Sequence, residues 1–221
     1  MKGIMRAVVV LTLMCICVCG ATMAIGAEDD GFKPLFNGKD LTGWDNGRGG
    51  EPGAAWVVED GALTLKGKGG GYVWTKERFG DFVLDLEVQT KGNSGLFFRT
   101  DNPQSPVQTG IEMQVERAGG PGRKHGFGSL YDLLAPSKEV GKPDDWNRVV
   151  LTAKDNKITI EINGEQVIDA DLNEWTEPNK NPDGSKNKFS TALKDQPRTG
   201  HIGFQDHGHD VWFRKIRITR L

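Results

Sequence analysis

GHIGFQDHGHDVWFRKIR, residues 200–217, is the stretch on which the reading of this chain turns. In an extended strand, successive side chains point to opposite faces. Ile202 and Phe204 then point one way, while His201, Gln205 and His207 point the other. Apolar groups on one side and convergent polar groups on the other describe a sheet with its back on a core and its front forming a cleft. The alternative is an outer strand whose polar face only meets water. Three of the chain's four histidines fall in this run, together with Asp206, Asp210 and Arg214. It is the expected floor of a site.

A second strand has the same design. In GIEMQVERAGG (110–120), Ile111, Met113 and Val115 share one face and Glu112, Gln114 and Glu116 the other. Glu112 and Gln114, about 7 Å apart on one strand face, can hold one sugar ring between them. Upstream, FVLDLEVQT (82–90) alternates as a half-buried antiparallel strand. The turn Gly92-Asn93-Ser94-Gly95 then leads into LFFR, where Leu96 and Phe98 in the core would leave Phe97 and Arg99 on the opposite side.

The rest of the chain reads as scaffold and loops. Hairpin signals stand at Asp60-Gly61, Asp155-Asn156 and Asn163-Gly164. Residues 31–45 form an apolar clasp broken by Asn-Gly and Thr-Gly turns. No segment carries a sustained 3.6-residue apolar stripe, so short strands with frequent turns predict an all-β, antiparallel sandwich. Two long polar connections interrupt it. One, rich in glycine and proline, runs from Arg117 to Asp145 and can bring Tyr131, Arg123, Lys124 and His125 to the edge of a site. The other, Asn173 to Arg198, is an expected rim loop. His201 and Tyr131 are taken as substrate contacts. The six tryptophans read mainly as packing residues, with Trp175 placed to stack on a sugar from its loop.

The N-terminus bounds where the protein works. Lys2 and Arg6 precede a short apolar run followed by small residues, the layout of a secretory signal peptide (1–27) ahead of a single domain (28–221). A secreted or periplasmic product is expected. All three cysteines (Cys15, Cys17, Cys19) lie in that leader, so the mature chain would have neither disulfide nor thiolate. No later segment is apolar enough to span a bilayer. Lys and Arg total 28 against 30 Asp and Glu, and this near-neutral balance without a basic stripe argues against nucleic acid. Thirty glycines and six tryptophans suit a β-fold with many turns and sugar-sized aromatic surfaces.

FNGKDLTGW, GNSGLFFR, GIEMQV, DDWNRVVLTAKDNKITIEINGE and GHIGFQDHGHDVWFRKIRI occur in this order. Together they resemble the 3-keto-disaccharide hydrolase family, also described as the 3-keto-glucoside 1,2-lyase/3-keto-2-hydroxyglucal hydratase domain, from about Phe32 to Leu221. The resemblance implies a concanavalin A-like jelly-roll sandwich with a sugar-binding concave face. It also implies cleavage of a glycoside already oxidised at C3, with a separate sugar 3-dehydrogenase supplying that substrate. A ketone at C3 acidifies the C2 proton, a base removes it, a cation or donor steadies the enolate, and the aglycone leaves from C1. Hydration then completes a net hydrolysis without the carboxylate pair of ordinary glycosidases.

Carried over by motif, the resemblance points to Arg99, Glu112 and His207 as the catalytic group, with Gln114 and Gln205 holding hydroxyls. His207, with an ordinary pKa of about 6.5, suits proton abstraction. Glu112 is the rival base or the group that orients it, and Arg99 is the enolate donor. Asp206 is expected to brace a loop. No cofactor is required, although His207 and His209, an HxH pair, together with Glu112 leave room for a divalent metal unless Gly208 breaks the strand. Two other function classes stay open: a non-catalytic carbohydrate-binding module, because this architecture hosts both, and a conventional glycoside hydrolase built on Glu112.

Overall fold

The computed structural model describes residues 31–117 and 122–221; the leader with its three cysteines and cleavage position lies outside them. Two short pieces open the domain, β1 (Lys33–Pro34) and β2 (Trp44–Asp45). The Asp60-Gly61 turn joins β3 (Trp56–Glu59) to β4 (Ala62–Leu65). Both turn residues take positive φ, 49° and 75°, as tight hairpins demand. Next come β5 (Tyr72–Thr75), β6 (Phe82–Thr90), β7 (Ser94–Thr100) and β8 (Ile111–Val115). The meander read from the sequence is β9 (Asn147–Lys154), β10 (Lys157–Ile162) and β11 (Glu165–Asp171), and β12 (His201–Gln205) and β13 (Val211–Arg220) close the chain. Among the described residues, helix is limited to three- and four-residue turns.

These strands pair antiparallel into two sheets. One runs β11-β10-β9-β6-β13-β4-β3, with β1 added against β13; the other runs β2-β5-β12-β7-β8. The fold is the antiparallel, concanavalin A-like β-sandwich of jelly-roll and lectin-like proteins. Its core forms where the alternation predicts: Leu84, Leu86 and Val88 of β6 and Leu151 of β9 meet Leu96, Phe98, Met113 and Phe204 from the opposite sheet. The clasp of residues 31–45 touches both layers, because β1 joins the larger sheet and β2 the smaller.

Residues 200–217 are not one strand. β12 belongs to the five-stranded sheet and β13 to the eight-stranded one, with a crossover at 206–210. Asp206 makes the break. One of its oxygens accepts the Gly208 amide, and the other accepts Gly70 N at 2.7 Å and Gly71 N at 3.3 Å. Gly208 takes a φ of 85°, a left-handed conformation that suits glycine. Asp210 finishes the crossover by accepting Gly67 N at 2.6 Å.

Arg99 is the second departure. The β7–β12 register shifts between His201 and Gly203. Arg99, with a φ of 50°, is the inserted residue of this bulge. The bulge cancels the alternation that would have set Arg99 beside Phe97. Its guanidinium instead crosses to the other layer, where Nε donates to Gly80 O (3.0 Å), Nη1 to Asp155 O (2.7 Å) and Nη2 to Asp81 Oδ1 (2.8 Å). With 1% of its surface exposed, Arg99 ties the two sheets at one end of the sandwich.

The outer face of the eight-stranded sheet is polar and satisfied. Asp85 receives Arg148 and Arg217, Glu87 receives Arg214 and Lys215, and Arg214 covers the Trp146 ring at 3.8 Å. Those cations hold both carboxyls below the ordinary range against the opposing effect of burial. This face is scaffold.

Arg99→Met should cost about 1–3 kcal/mol in chemical denaturation, because Asp81 and two carbonyls lose the donor that a buried guanidinium supplied. In the folded fraction kcat should stay within about two-fold, and a larger fall would return Arg99 to the site.

Candidate functional site

The outer face of the five-stranded sheet is built row by row from the strand register. Trp74 of β5 stands opposite Gly203 of β12, Gly203 opposite Phe97 of β7, and Phe97 opposite Glu112 of β8. The adjoining row contains Tyr72 opposite Gln205, and Gly95 opposite Gln114. The two glycines explain how large groups lie flat on this floor. A Cβ on Gly203 would overlap the Trp74 ring, and one on Gly95 would overlap the Glu112 carboxyl. Tyr72 stacks on Trp74 with centroids 5.4 Å apart, and both meet the edge or face of Phe97 at 5.5 and 5.9 Å. Gln205 Nε2 donates to the Tyr72 hydroxyl at 3.1 Å. An aromatic cluster therefore leads across the face to an acid.

Glu112 is the unusual group on that face. It is 6% exposed, and no hydrogen-bond donor reaches its carboxyl among the described residues. Burial pushes its pKa up to about 7, with Lys188 pulling weakly the other way. Lys188 is half-buried, and its Nζ lies 3.7 Å from the centroid of the Tyr131 ring. Burial lowers the Lys188 pKa, while Glu112 and Asp132 oppose the fall. Beside Glu112, Gln114 is 1% exposed and its Oε1 has no partner, although its Nε2 donates to Asn93 Oδ1 at 3.2 Å. A buried acceptor without a donor is costly to keep. Glu112 and Gln114 thus leave acceptor capacity unused at neighbouring positions of one strand face.

The two long connections close over the β8 edge. Residues 128–131 run beside β8, with Gly128 N donating to Gln114 O, Gln114 N to Ser129 O and Tyr131 N to Glu112 O. Asp132 joins this segment to the second loop: its Oδ2 accepts Lys188 N at 2.8 Å, its carbonyl accepts Asn181 Nδ2, and His125 Nε2 donates to its Oδ1. Tyr131 is thus positioned twice over, by β8 and by the His125 ring at 4.5 Å.

The structure brings together Glu112, Gln114, Gln205 and Tyr131 of the residues expected from sequence. His201 shares the side of β12 occupied by Gly203 and Gln205, and its Nδ1–H donates to Thr75 O at 2.7 Å. A carbonyl only accepts, so Nε2 carries the lone pair in the neutral ring. Arg99 is at the sheet junction described above. His207 and His209 sit in the exposed crossover beyond β12, with His209 packed over Gly92, so the HxH spacing on a strand face does not form. Among the described residues no three His, Cys, Asp or Glu side chains group as metal ligands. Trp175 is buried and donates to Asn181 Oδ1 at 2.8 Å, which makes it a loop anchor and not a sugar platform. Asp206 braces the glycine loop, as expected.

Lys188, Tyr72 and Trp74 also fall at this candidate site, and sequence reasoning passes over them, whereas the alternation does put Phe97 on this face. Lys188 lies in a polar loop among other lysines and gives no periodic signal. The Tyr72-Val73-Trp74 alternation is a usable one, because a buried Val73 between two aromatics puts both rings on one face.

Three comparisons bear on this site. Residues 31–219 match the model of the 3-keto-alpha-glucoside-1,2-lyase-like domain. A 3-keto-disaccharide hydrolase of Bacteroides thetaiotaomicron is 28% identical, over 90% of this chain and 82% of that one. Two solved structures from Parabacteroides distasonis, each named as a candidate glycosyl hydrolase, superpose with TM-scores of 0.76 and 0.69. Their identities are 29% and 26%; each covers 86% of this chain, and the matches span 99% and 94% of theirs.

A carboxyl whose pKa is higher folded than unfolded takes up protons on folding between the two values, so it costs stability as pH rises through that window. With Glu112 at about 7 against an ordinary 4.5, wild type should lose up to about 3 kcal/mol relative to Glu112→Gln between about pH 4.5 and 8. Denaturant midpoints of both proteins across that range check it, and parallel curves would mean that Glu112 ionises normally.

Proposed function

The chain belongs to the 3-keto-α-glucoside-1,2-lyase-like family, and from that membership we propose that it cleaves 3-keto glycosides by elimination at C1–C2 followed by hydration. The observation that supports this most directly is Glu112: a carboxyl without a hydrogen-bond donor and with a pKa of about 7, within electrostatic reach of a half-buried lysine. Such a group is matched to moving a carbon-bound proton near neutrality. An ordinary glycosidase nucleophile would be better kept ionised by donors.

In this reading the sugar ring lies on the face between the partly exposed Tyr72 and Tyr131 with its C2–H toward Glu112. The carboxylate takes that proton, and the electron pair delocalises onto the C3 oxygen, where the Lys188 ammonium steadies the enolate. The enolate pair then returns to form the C1–C2 double bond and expels the C1 oxygen with the aglycone, which gains a proton from water. In the second half, the hydroxide left by that water adds to C1 and the Glu112 carboxylic acid returns a proton to C2. The sum is hydrolysis, and Glu112 ends as it began. Gln114 Oε1, Gln205 and His201 Nε2 accept or give hydrogen bonds to ring hydroxyls, and Tyr131 holds Lys188 in place through its ring face. His207, exposed past the strand end, is the less favoured base.

The chain's surroundings belong to the same proposal. The leader-like N-terminus supports export to the periplasm or medium, and among the described residues no helix is long and apolar enough to cross a membrane. The substrate would come from an enzyme that oxidises a sugar hydroxyl at C3.

Incubation with 3-keto-trehalose in D2O should release 3-keto-glucose carrying deuterium at C2, seen by NMR, with no turnover of trehalose. Glu112→Gln should lower kcat by about 100-fold or more, Lys188→Met should do likewise, and His207→Ala should have little effect. Activity should rise as pH passes about 7, where Glu112 becomes the carboxylate, and fall again when Lys188 loses its proton. A His207→Ala variant as damaged as Glu112→Gln would move the base to His207. Sugar binding without turnover by wild type would favour the carbohydrate-binding alternative.

A further inference from the structure

The turn at residues 130–134 has a simple local origin. Leu130 N donates to Leu134 O and Leu134 N to Leu130 O, both at 3.0 Å, while Leu130 and Leu133 are buried. The leucines fix the turn to the core, and Tyr131 N fixes it to β8 through Glu112 O at 2.9 Å. Tyr131 and Asp132 are left half-buried at its tip. Asp132 takes a left-handed φ of 64°, which aspartate tolerates better than most residues. Resting on the lyase reading above, we propose that Asp132 is the positioning residue of this site: it locks the two long connections together, and so holds Tyr131 and Lys188 against Glu112 and keeps water from that carboxyl.

The lock uses every polar group of the residue. Asp132 N donates to Lys124 O at 3.0 Å within its own connection. Its Oδ2 accepts Lys188 N at 2.8 Å and its carbonyl accepts Asn181 Nδ2 at 3.1 Å, both from the second connection. Its Oδ1 accepts His125 Nε2 at 3.1 Å, which orients the carboxylate. Amide bonds to a carboxylate are stronger than neutral ones. Lys124 also bridges the two connections, through Nζ to Asp183 Oδ2 and Ser185 Oγ, but Asp183 is exposed and such ion pairs contribute little.

What the lock grips is itself ordered. Asn181, 2% exposed, is the centre of the second connection: its Oδ1 accepts Trp175 Nε1 at 2.8 Å and Asn187 Nδ2 at 3.0 Å. Gln108 Nε2 donates to Lys188 O at 2.9 Å. The Lys188 backbone is thus clamped at both its N–H and its carbonyl, and Asp132 is the clamp that reaches the first connection. With that backbone fixed, Lys188 Nζ lies 3.7 Å from the centroid of the Tyr131 ring, the residue next to Asp132. One carboxylate therefore sets the places of both groups that cover Glu112.

The titratable groups that face Glu112 are Lys188 from the second connection, Tyr131 from the first and Tyr72 from β5. Those that face Asp132 are His125, Lys188 and Tyr131. Burial, and not any of these charges, is the chief cause of the Glu112 pKa of about 7, so opening the connections acts on Glu112 through water. A positioning role then has a signature that a plain loss of stability lacks. It moves the titration of a carboxyl with which Asp132 shares no hydrogen bond.

The test follows the carboxyl of Glu112 directly, by its carbon NMR signal against pH, identified by its loss in Glu112→Gln. Two variants separate the lock from the charge. Asp132→Gly accepts the left-handed φ and removes the side chain, whereas Asp132→Asn keeps an acceptor for Lys188 N and removes the charge. The midpoint should be about 7 in wild type, stay within about 0.3 pH units in Asp132→Asn, and fall by about one pH unit or more in Asp132→Gly. On 3-keto-trehalose, Asp132→Gly should move the acid limb of kcat down in pH by the same amount and lower its plateau about ten-fold or more, with Asp132→Asn within about three-fold of wild type. A folded Asp132→Gly with an unmoved midpoint would overturn the lock, as would an Asp132→Asn shifted equally far, or a wild-type midpoint near 4.5. If wild type turns over no 3-keto glycoside, the lyase reading fails and the NMR titration alone decides the lock. Should Asp132→Gly not fold, His125→Phe at its exposed position replaces it, keeping a ring beside Tyr131 and removing one bond to the carboxylate. The midpoint should then fall by about 0.5 pH units, and an unmoved one would overturn the lock.

Discussion

Phe204 and Phe213 stack face to face across the sandwich, with centroids 3.8 Å apart and planes 17° apart, and Trp44 continues the stack on Phe204 at 5.5 Å. The two phenylalanines sit on consecutive strands that belong to different sheets. The contact therefore welds the layers through residues nine positions apart in sequence, and the 206–210 crossover has to fit between them. A chain that turns so tightly leaves backbone amides without strand partners. Asp206 and Asp210 accept those of Gly67, Gly70, Gly71 and Gly208, so the fold's joint also sets the glycine loop beside Tyr72.

The two outer faces show what separates a scaffold from a site. Both are polar, and both carry carboxylates. On the larger sheet each carboxylate meets two cations, and the pKa values fall. On the smaller sheet Glu112 is buried by loops that bring it a single, imperfectly placed lysine, and its pKa rises. An unpaired acid is a stability cost that a wetted surface strand would have no reason to carry. Gln114, buried beside it with an idle oxygen, repeats the pattern.

Much of this is legible in the chain itself. Period-two alternation in residues 82–90 and 111–115, and the hairpin pairs Asp60-Gly61 and Asn163-Gly164, specify strands and turns locally, so the two-layer fold and the face bearing Glu112, Gln114 and Gln205 can be read without coordinates. Arg99 cannot. Alternation assumes an unbroken ladder, and one inserted residue in β7 sends that side chain to the other sheet. His207 fails for a related reason, since Gly208 and the Asp206 cap end the strand earlier than the pattern implies. Lys188 is invisible because its place is set by Asp132, fifty-six residues away, and no local rule reports such a contact.

That dependence on Asp132 bears on how the site works. Its two carboxylate oxygens and its carbonyl hold His125, Lys188 and Asn181, so both long loops are pinned at one residue, which itself adopts a left-handed φ of 64°. The pKa of Glu112 comes chiefly from burial, and the burial at the β8 edge comes from those loops. Loosening the pin would admit water to Glu112 and drop its pKa toward the ordinary range. The raised pKa of Glu112 is therefore a property of loop closure more than of the strand that carries it, and the sheet supplies position while the loops supply burial.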